Sequence, residues 1–182
     1  MKTIYTQNKK AFTIIDMLIS IAILGFLATS VVINFNAGSR NDTVRLSADL
    51  VASTLRQAQT MTLTGAEIPD ESLPPGQRFP SGGYGVFFDA NDTNSIFLFA
   101  DKSGNYDYDS LSDTILETYD LSREAVFSAG GSLAVVFSPP DADAYFNGMA
   151  AELLKSIVIT APESDTTKTV KVFRLSGRVS IE

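Results

Sequence analysis

The stretch that decides the reading runs from Phe12 to Ile33, FTIIDMLISIAILGFLATSVVI. It holds 22 residues and one charge, Asp16. At about 1.5 Å of helix rise per residue it is roughly 30 Å long, the thickness of a bilayer's hydrocarbon core. The eleven residues before it, MKTIYTQNKKA, are polar and basic. A plain transmembrane anchor explains the length but not an acid so near its start. A secretory signal peptide needs a shorter apolar run and a small-x-small cleavage site. Ala28 and Ser30 make a poor one.

Beyond the run, residues 34–41, NFNAGSRN, are polar. They permit a bend at Gly38 or a continuous helix. From Asp42 a second periodic stretch begins. Val44, Ala48, Val51, Leu55, Ala58 and Met61 recur at steps of four and three, which marks a one-sided helix. Arg45, Asp49 and Arg56 fall off that stripe, and Gly65 supplies the stop. Residues 66–83 are rich in proline and glycine and read as a loop. Strand patterns follow at 84–89, 95–101, 114–121, 125–128, 133–138, 156–160, 169–175 and 178–182. A tight turn is expected over residues 175–178. No internal repeat is present. The expected fold class is therefore α+β, a long N-terminal hydrophobic helix leading into a mainly antiparallel β domain.

Composition narrows the function classes. The 182 residues contain no cysteine and no histidine, so disulfides, thiolate chemistry and the commonest general base are absent. Net charge is −7. Removal of residues 1–11 takes Lys2, Lys9 and Lys10 and leaves 11 basic against 21 acidic side chains, a net charge of −10. Such a surface repels phosphate backbones and argues against general nucleic-acid binding. No phosphate loop, zinc spacing or nucleophile–base set occurs, so the expectation is no enzyme activity. Asp89, Asp92, Asp141 and Asp143 stand among turn residues that account for them without catalysis.

The N-terminal 35 residues resemble the signal segment of type IV prepilins and pseudopilins. In that family a short basic leader ends in Gly or Ala, Phe follows as the first mature residue, and an acid stands fifth. Here Lys9-Lys10-Ala11 precede Phe12, Asp16 is fifth, and MLISIAILGFLA follows the apolar pattern. Ala11 replaces the commoner Gly, and Asp16 the commoner Glu. The resemblance implies a leader at 1–11 and cleavage by prepilin peptidase between Ala11 and Phe12, with N-methylation of Phe12. It also implies a helix over 12–62, whose part 12–33 lies in membrane or filament core and whose amphipathic part 42–62 packs on the sheet. A globular β domain over 63–182 completes the layout. A carboxylate in lipid needs a partner. The new amine of Phe12 on a neighbouring subunit would supply one for Asp16 and fix the axial register of assembly.

The later chain resembles the minor pseudopilins of type II secretion and their pilus counterparts, the GspH/FimT group. The segments that carry this are residues 50–59 (LVASTLRQAQ), 83–89 (GYGVFFD), 136–140 (VFSPP) and 176–179 (SGRV). The implied role is a structural subunit of a type II secretion pseudopilus or a type IV pilus. The implied partners are other pilins or pseudopilins, the peptidase and an inner-membrane assembly platform. The implied location is a single pass of the cytoplasmic membrane with the β domain outside the cytoplasm, then the filament. The alternative is a DNA-uptake or adhesive minor pilin. DNA-uptake members carry a C-terminal Gly-Arg-x-Arg element, and here Ser180 stands where its second Arg belongs.

One further segment is a candidate site. In DKSGNYDYD, Asp101, Ser103, Asn105, Asp107 and Asp109 place oxygen ligands at every second position, as in an EF-hand calcium loop. Gly104 is out of place for the turn glycine, Tyr106 follows Asn105, and the twelfth position is Ser112 rather than Glu. Asp113 or Glu117 would have to substitute. The rival reading is a solvated hairpin loop using the same residues for turn chemistry.

Overall fold

A computed structural model describes residues 14–68, 78–122, 124–162, 164 and 166–182. The fold is α+β. One α-helix, α1, spans Ile14–Thr64. Nine strands follow among the described residues: β1 Gly83–Phe88, β2 Ser95–Asp101, β3 Thr114–Asp120, β4 Val126–Ser128, β5 Leu133–Ser138, β6 Asp143–Phe146, β7 Leu154–Thr160, β8 Lys168–Phe173 and β9 Val179–Ile181. A 3-10 turn, Arg174–Ser176, separates the last two. The chain divides into two compact units, Met1–Ser39 and Arg40–Glu182.

The first unit is described from Ile14. It carries an 18-residue stretch, Ile14–Val31, long and apolar enough to cross a membrane. Its large side chains, such as Leu18, Leu24 and Phe26, are exposed. The hydroxyls in this stretch make local bonds. Ser20, Thr29 and Ser30 donate to the carbonyls of Asp16, Gly25 and Phe26 four residues earlier. That matters in lipid, where a hydroxyl without a partner costs free energy and no water supplies one.

In the second unit the helix presents the expected stripe. Val44, Ala48, Val51, Ala52, Leu55 and Ala58 are buried against the sheets, with Met61 partly buried beside them. Small side chains dominate because a helix must come close to a pleated surface to exclude water. Gly65 ends the helix at φ +60°. Its N–H donates to Thr62 O, and the N–H of Ala66 donates to Met61 O, which satisfies two terminal carbonyls.

The strands form a five-stranded antiparallel sheet ordered β3-β2-β1-β5-β6 and a four-stranded antiparallel sheet ordered β4-β7-β8-β9. Period-two alternation assigns the faces. Tyr84, Val86 and Phe88 of β1, Ile96 and Leu98 of β2, and Leu133, Val135 and Phe137 of β5 face the helix. Ile157, Ile159, Val170 and Val172 of the smaller sheet join the same core.

Two sequence expectations differ from the structure. The strand patterns omit β6, because Asp143-Ala144-Tyr145-Phe146 is short and follows a Pro-Pro pair. It exists through pairing with β5, at Val135↔Phe146 and Phe137↔Ala144. The turn expected over 175–178 begins one residue earlier as the 3-10 turn and closes at Gly177, whose φ is +57°. Strand ends elsewhere differ from expectation by one or two residues. Of the loop expected over 66–83, residues 69–77 lie outside the described residues.

Candidate functional sites

The processing site, Ala11 and Phe12, lies outside the described residues. Asp16 lies in the first turn of α1 and is the only charged side chain between Ile14 and Val31. The helix therefore presents one acid near its start and apolar side chains after it.

The acidic loop is built from the end of β2. Asp101 is fully buried on the face of the large sheet turned away from the helix. Its Oδ1 accepts from Ser103 Oγ at 2.9 Å and from the N–H of Gly104 at 2.7 Å, and its Oδ2 accepts from the N–H of Tyr106 at 2.8 Å. Tyr106 takes φ +60°, uncommon for a residue with a side chain. The other candidate ligands also close turns. Asn105 Oδ1 accepts from Asp107 N, Asp107 Oδ1 from Tyr108 N, and Asp109 Oδ1 from Leu111 N. Asp113, missed as a ligand of the loop's own backbone, accepts from the N–H groups of Lys102 at 3.0 Å and Asp109 at 2.8 Å. Burial first, then the negative charge of Asp101, pushes the Asp113 carboxyl above its ordinary range.

Aromatic side chains hold the loop down. Tyr108 packs on Phe87 and Phe99, with centroids 4.5 and 5.1 Å apart, and Tyr106 stacks on Tyr145 of β6 at 4.3 Å. The carbonyl of Tyr106 accepts from the N–H of Gly148 beyond β6. The loop thus crosses the outer face of the sheet from β2 to β6 and covers Phe99, Ala134 and Val136. Gly82 makes room for its root, since a Cβ there would lie 1.8 Å from Asp101 Oδ2. The alternation of Phe87, Phe97 and Phe99 to one face is visible in the sequence. The partner that covers them is not, because it comes from a loop.

Among the described residues, no three Asp or Glu side chains converge on a point that could hold a metal ion. Both oxygens of Asp101 already accept backbone or hydroxyl hydrogens. The expected result for this arrangement is an unchanged melting temperature between chelator and millimolar calcium. A site occupied at about a hundred times its Kd would add roughly 2.7 kcal/mol. A rise of several degrees, abolished by Asp107→Ala, would therefore show that the loop rearranges around the ion. A bound cation would also reverse the cost of ionising Asp113. Because its folded-state pKa is raised, that cost is absent in acid and grows as pH rises through the carboxylate range.

Of the other acids, Asp89 and Asp92 serve turns, whereas Asp143, expected among turn residues, opens β6 opposite Ser138. Asp89 Oδ1 accepts from Asn91 N, and Asp92 Oδ1 from Asn94 N. Ser95 Oγ also donates to Asp92, and this bond, first among the causes, lowers the pKa of its carboxyl. Arg178 is exposed, its guanidinium 4.7 Å above the Phe173 ring. An apolar cavity of about 150 Å³ lies between the helix end and β1, lined by Thr62, Phe79, Pro80, Tyr84 and Pro139 among others. Tyr84 is the titratable side chain on that wall. Its hydroxyl donates to Ala66 O, and burial together with the charge of Glu67 pushes its pKa up to about 12. A phenol so held is no proton acceptor near neutral pH.

No protein-family model, curated protein or solved structure matches the chain.

Proposed function

We propose that the chain is a structural subunit of a type IV pilus or type II secretion pseudopilus, cut between Ala11 and Phe12 by prepilin peptidase and assembled through its N-terminal helix. The observation that carries this is the first unit itself. It is an exposed apolar helix able to span a membrane, with a single acid in its first turn, joined to a separate compact unit of helix and β-sheet. An exposed apolar surface of this extent requires lipid or other apolar helices as its surroundings. In lipid the helix anchors the subunit, and in a filament the same surface packs against copies of itself. Asp16 sets the register by pairing with the amine of a neighbour's Phe12.

Two measurements test the reading. The mature protein is expected to begin at Phe12 by mass spectrometry. Asp16→Ala should insert into membrane at least as well as wild type, because it removes a charge from lipid. It should lower the sheared filament fraction on the order of tenfold or more, because the neighbour's amine is left buried without its counter-charge. Wild-type amounts of sheared filament from Asp16→Ala, or an intact Met1, would refute the proposal.

A further inference from the structure

Of the asparagines in the chain, only Asn147 is followed by glycine. The fold uses the pair as a turn. Asn147 and Gly148 return the chain from β6, with φ of +48° and +69°. A two-residue turn of this kind needs a positive φ at both central residues, and Asn-Gly adopts it most readily. Across it Phe146 and Met149 exchange both backbone hydrogen bonds, at 3.0 and 3.2 Å.

The same pair is chemically labile, since asparagine is among the thermolabile residues. The Gly148 nitrogen can attack the Asn147 carboxamide carbon, because glycine has no side chain to obstruct the approach. The C–N bond that forms closes a five-membered imide, and the carboxamide nitrogen leaves as ammonia with the amide proton. Water then adds across either imide carbonyl and gives aspartate or its β-linked isomer. No reagent other than water is consumed. Attack requires that the carboxamide turn toward the main chain and that the Gly148 N–H give up its proton.

The fold restrains both. Asn147 Oδ1 accepts from the N–H of Ala134 at 2.6 Å, and Nδ2 donates to Ser132 O at 3.2 Å, which ties the carboxamide to the start of β5. The Gly148 N–H donates to Tyr106 O at 2.8 Å. The acidic loop lies so close that a Cβ on Gly148 would come 3.0 Å from Asn105 O. Tyr106 is held there by its stack on Tyr145 and by the bond from its own N–H to Asp101. Gly148 is exposed, so water already reaches the turn. The first restraint belongs to the sheet and the second to the loop.

We propose that Asn147 is a self-modification site, converted to aspartate and isoaspartate through attack by the Gly148 nitrogen, and that the acidic loop gates the reaction by holding the Gly148 N–H on Tyr106 O. The rate then follows the fraction of time the loop is open. The change runs one way, because the ammonia is lost to solvent. Aspartate at this position keeps an acceptor for the Ala134 N–H but has no hydrogen for Ser132 O. Isoaspartate lengthens the main chain of the turn by one atom. Either product weakens the end of β6 and the seat of the loop, so a loop left open long enough stays loose.

The test uses the full-length chain in detergent, incubated at neutral pH and digested with trypsin. The fragment 124–155 carries Asn147 as its one asparagine, and mass spectrometry counts aspartate and isoaspartate there. In wild type the rate should lie about tenfold or more below that of the same fragment as a free peptide. Asp101→Ala, which removes the acceptor of the Tyr106 N–H, should raise it about tenfold toward the peptide rate, and Asp101→Asn by a smaller factor. Tyr145→Leu removes the stack, keeps the carboxylate and should also raise it. Asn94, at the opposite end of β2 from the loop, should keep its wild-type rate in every variant. A wild-type rate at Asn147 equal to that of the peptide would overturn the gating, as would a rate unmoved by both Asp101→Ala and Tyr145→Leu. A parallel rise at Asn94 would show that protection belongs to the whole fold and would overturn the role of the loop. No product in the free peptide would overturn the site itself.

Discussion

Replacing Gly83 by alanine is expected to cost the β unit about 3–5 kcal/mol, a large part of the roughly 5–15 kcal/mol that holds an ordinary domain folded. Two effects add. Gly83 opens β1 with φ +95°, a conformation L side chains rarely adopt. A Cβ there would lie 2.1 Å from the carbonyl oxygen of Phe137 on the neighbouring strand. Backbone cannot swing aside as a side-chain tip does, so β1 or β5 must shift, and both pack on the helix. Gly130→Ala is the control. Its φ of +81° is also positive, but nothing lies within 4 Å of the new Cβ, so only the conformational cost of about 1–2 kcal/mol is expected. Guanidinium unfolding of the detergent-solubilised chain, followed by tyrosine circular dichroism, measures both. Equal midpoints for the two variants would show that β1 accommodates the methyl group.

The second large effect is expected at Asp101. Asp101→Ala removes the acceptor of two backbone N–H groups and one hydroxyl in a site with no solvent exposure. At about 1–3 kcal/mol for each buried donor left unpaired, the loop should detach, at a cost of about 3–5 kcal/mol after partial hydration of the freed groups. Detachment uncovers Phe99 and Val136 and separates Tyr106 from Tyr145. The readout is loss of near-ultraviolet tyrosine ellipticity and faster amide exchange across residues 102–113, while the exchange of β7 and β8 stays slow. Asp101→Asn should fall between, because one carboxamide oxygen remains and the new NH2 faces a donor. Unchanged tyrosine ellipticity in Asp101→Ala would mean that aromatic packing holds the loop without the carboxylate.

The acidic loop shows how far residue patterns carry. The alternation of oxygen-bearing side chains from Asp101 to Asp109 is legible in the sequence, and the two uses open to it, cation ligation and turn closure, draw on the same atoms. Which N–H each oxygen meets depends on the backbone path, and Tyr106 sets that path by taking a positive φ. Tyr106 carries no sequence signal for that role, because its reward is a stack against Tyr145 from a strand about forty residues later. β6 is illegible for a related reason. Four residues beginning with Asp have little strand preference of their own, and pairing with β5 supplies what local preference lacks.

By itself the sequence determined the apolar stretch from Ile14 to Val31, the one-sided helix from Val44 to Ala58 and the alternation of β1, β2 and β5. Each follows from a period imposed by backbone geometry on where water is excluded, and such a period survives in the order of residues. Only the tertiary structure decided which strands share a sheet, that the loop after β2 covers the far face of the larger sheet, and that Arg178 lies over the Phe173 ring. Those outcomes depend on contacts between residues far apart in the chain, and no local period encodes a partner.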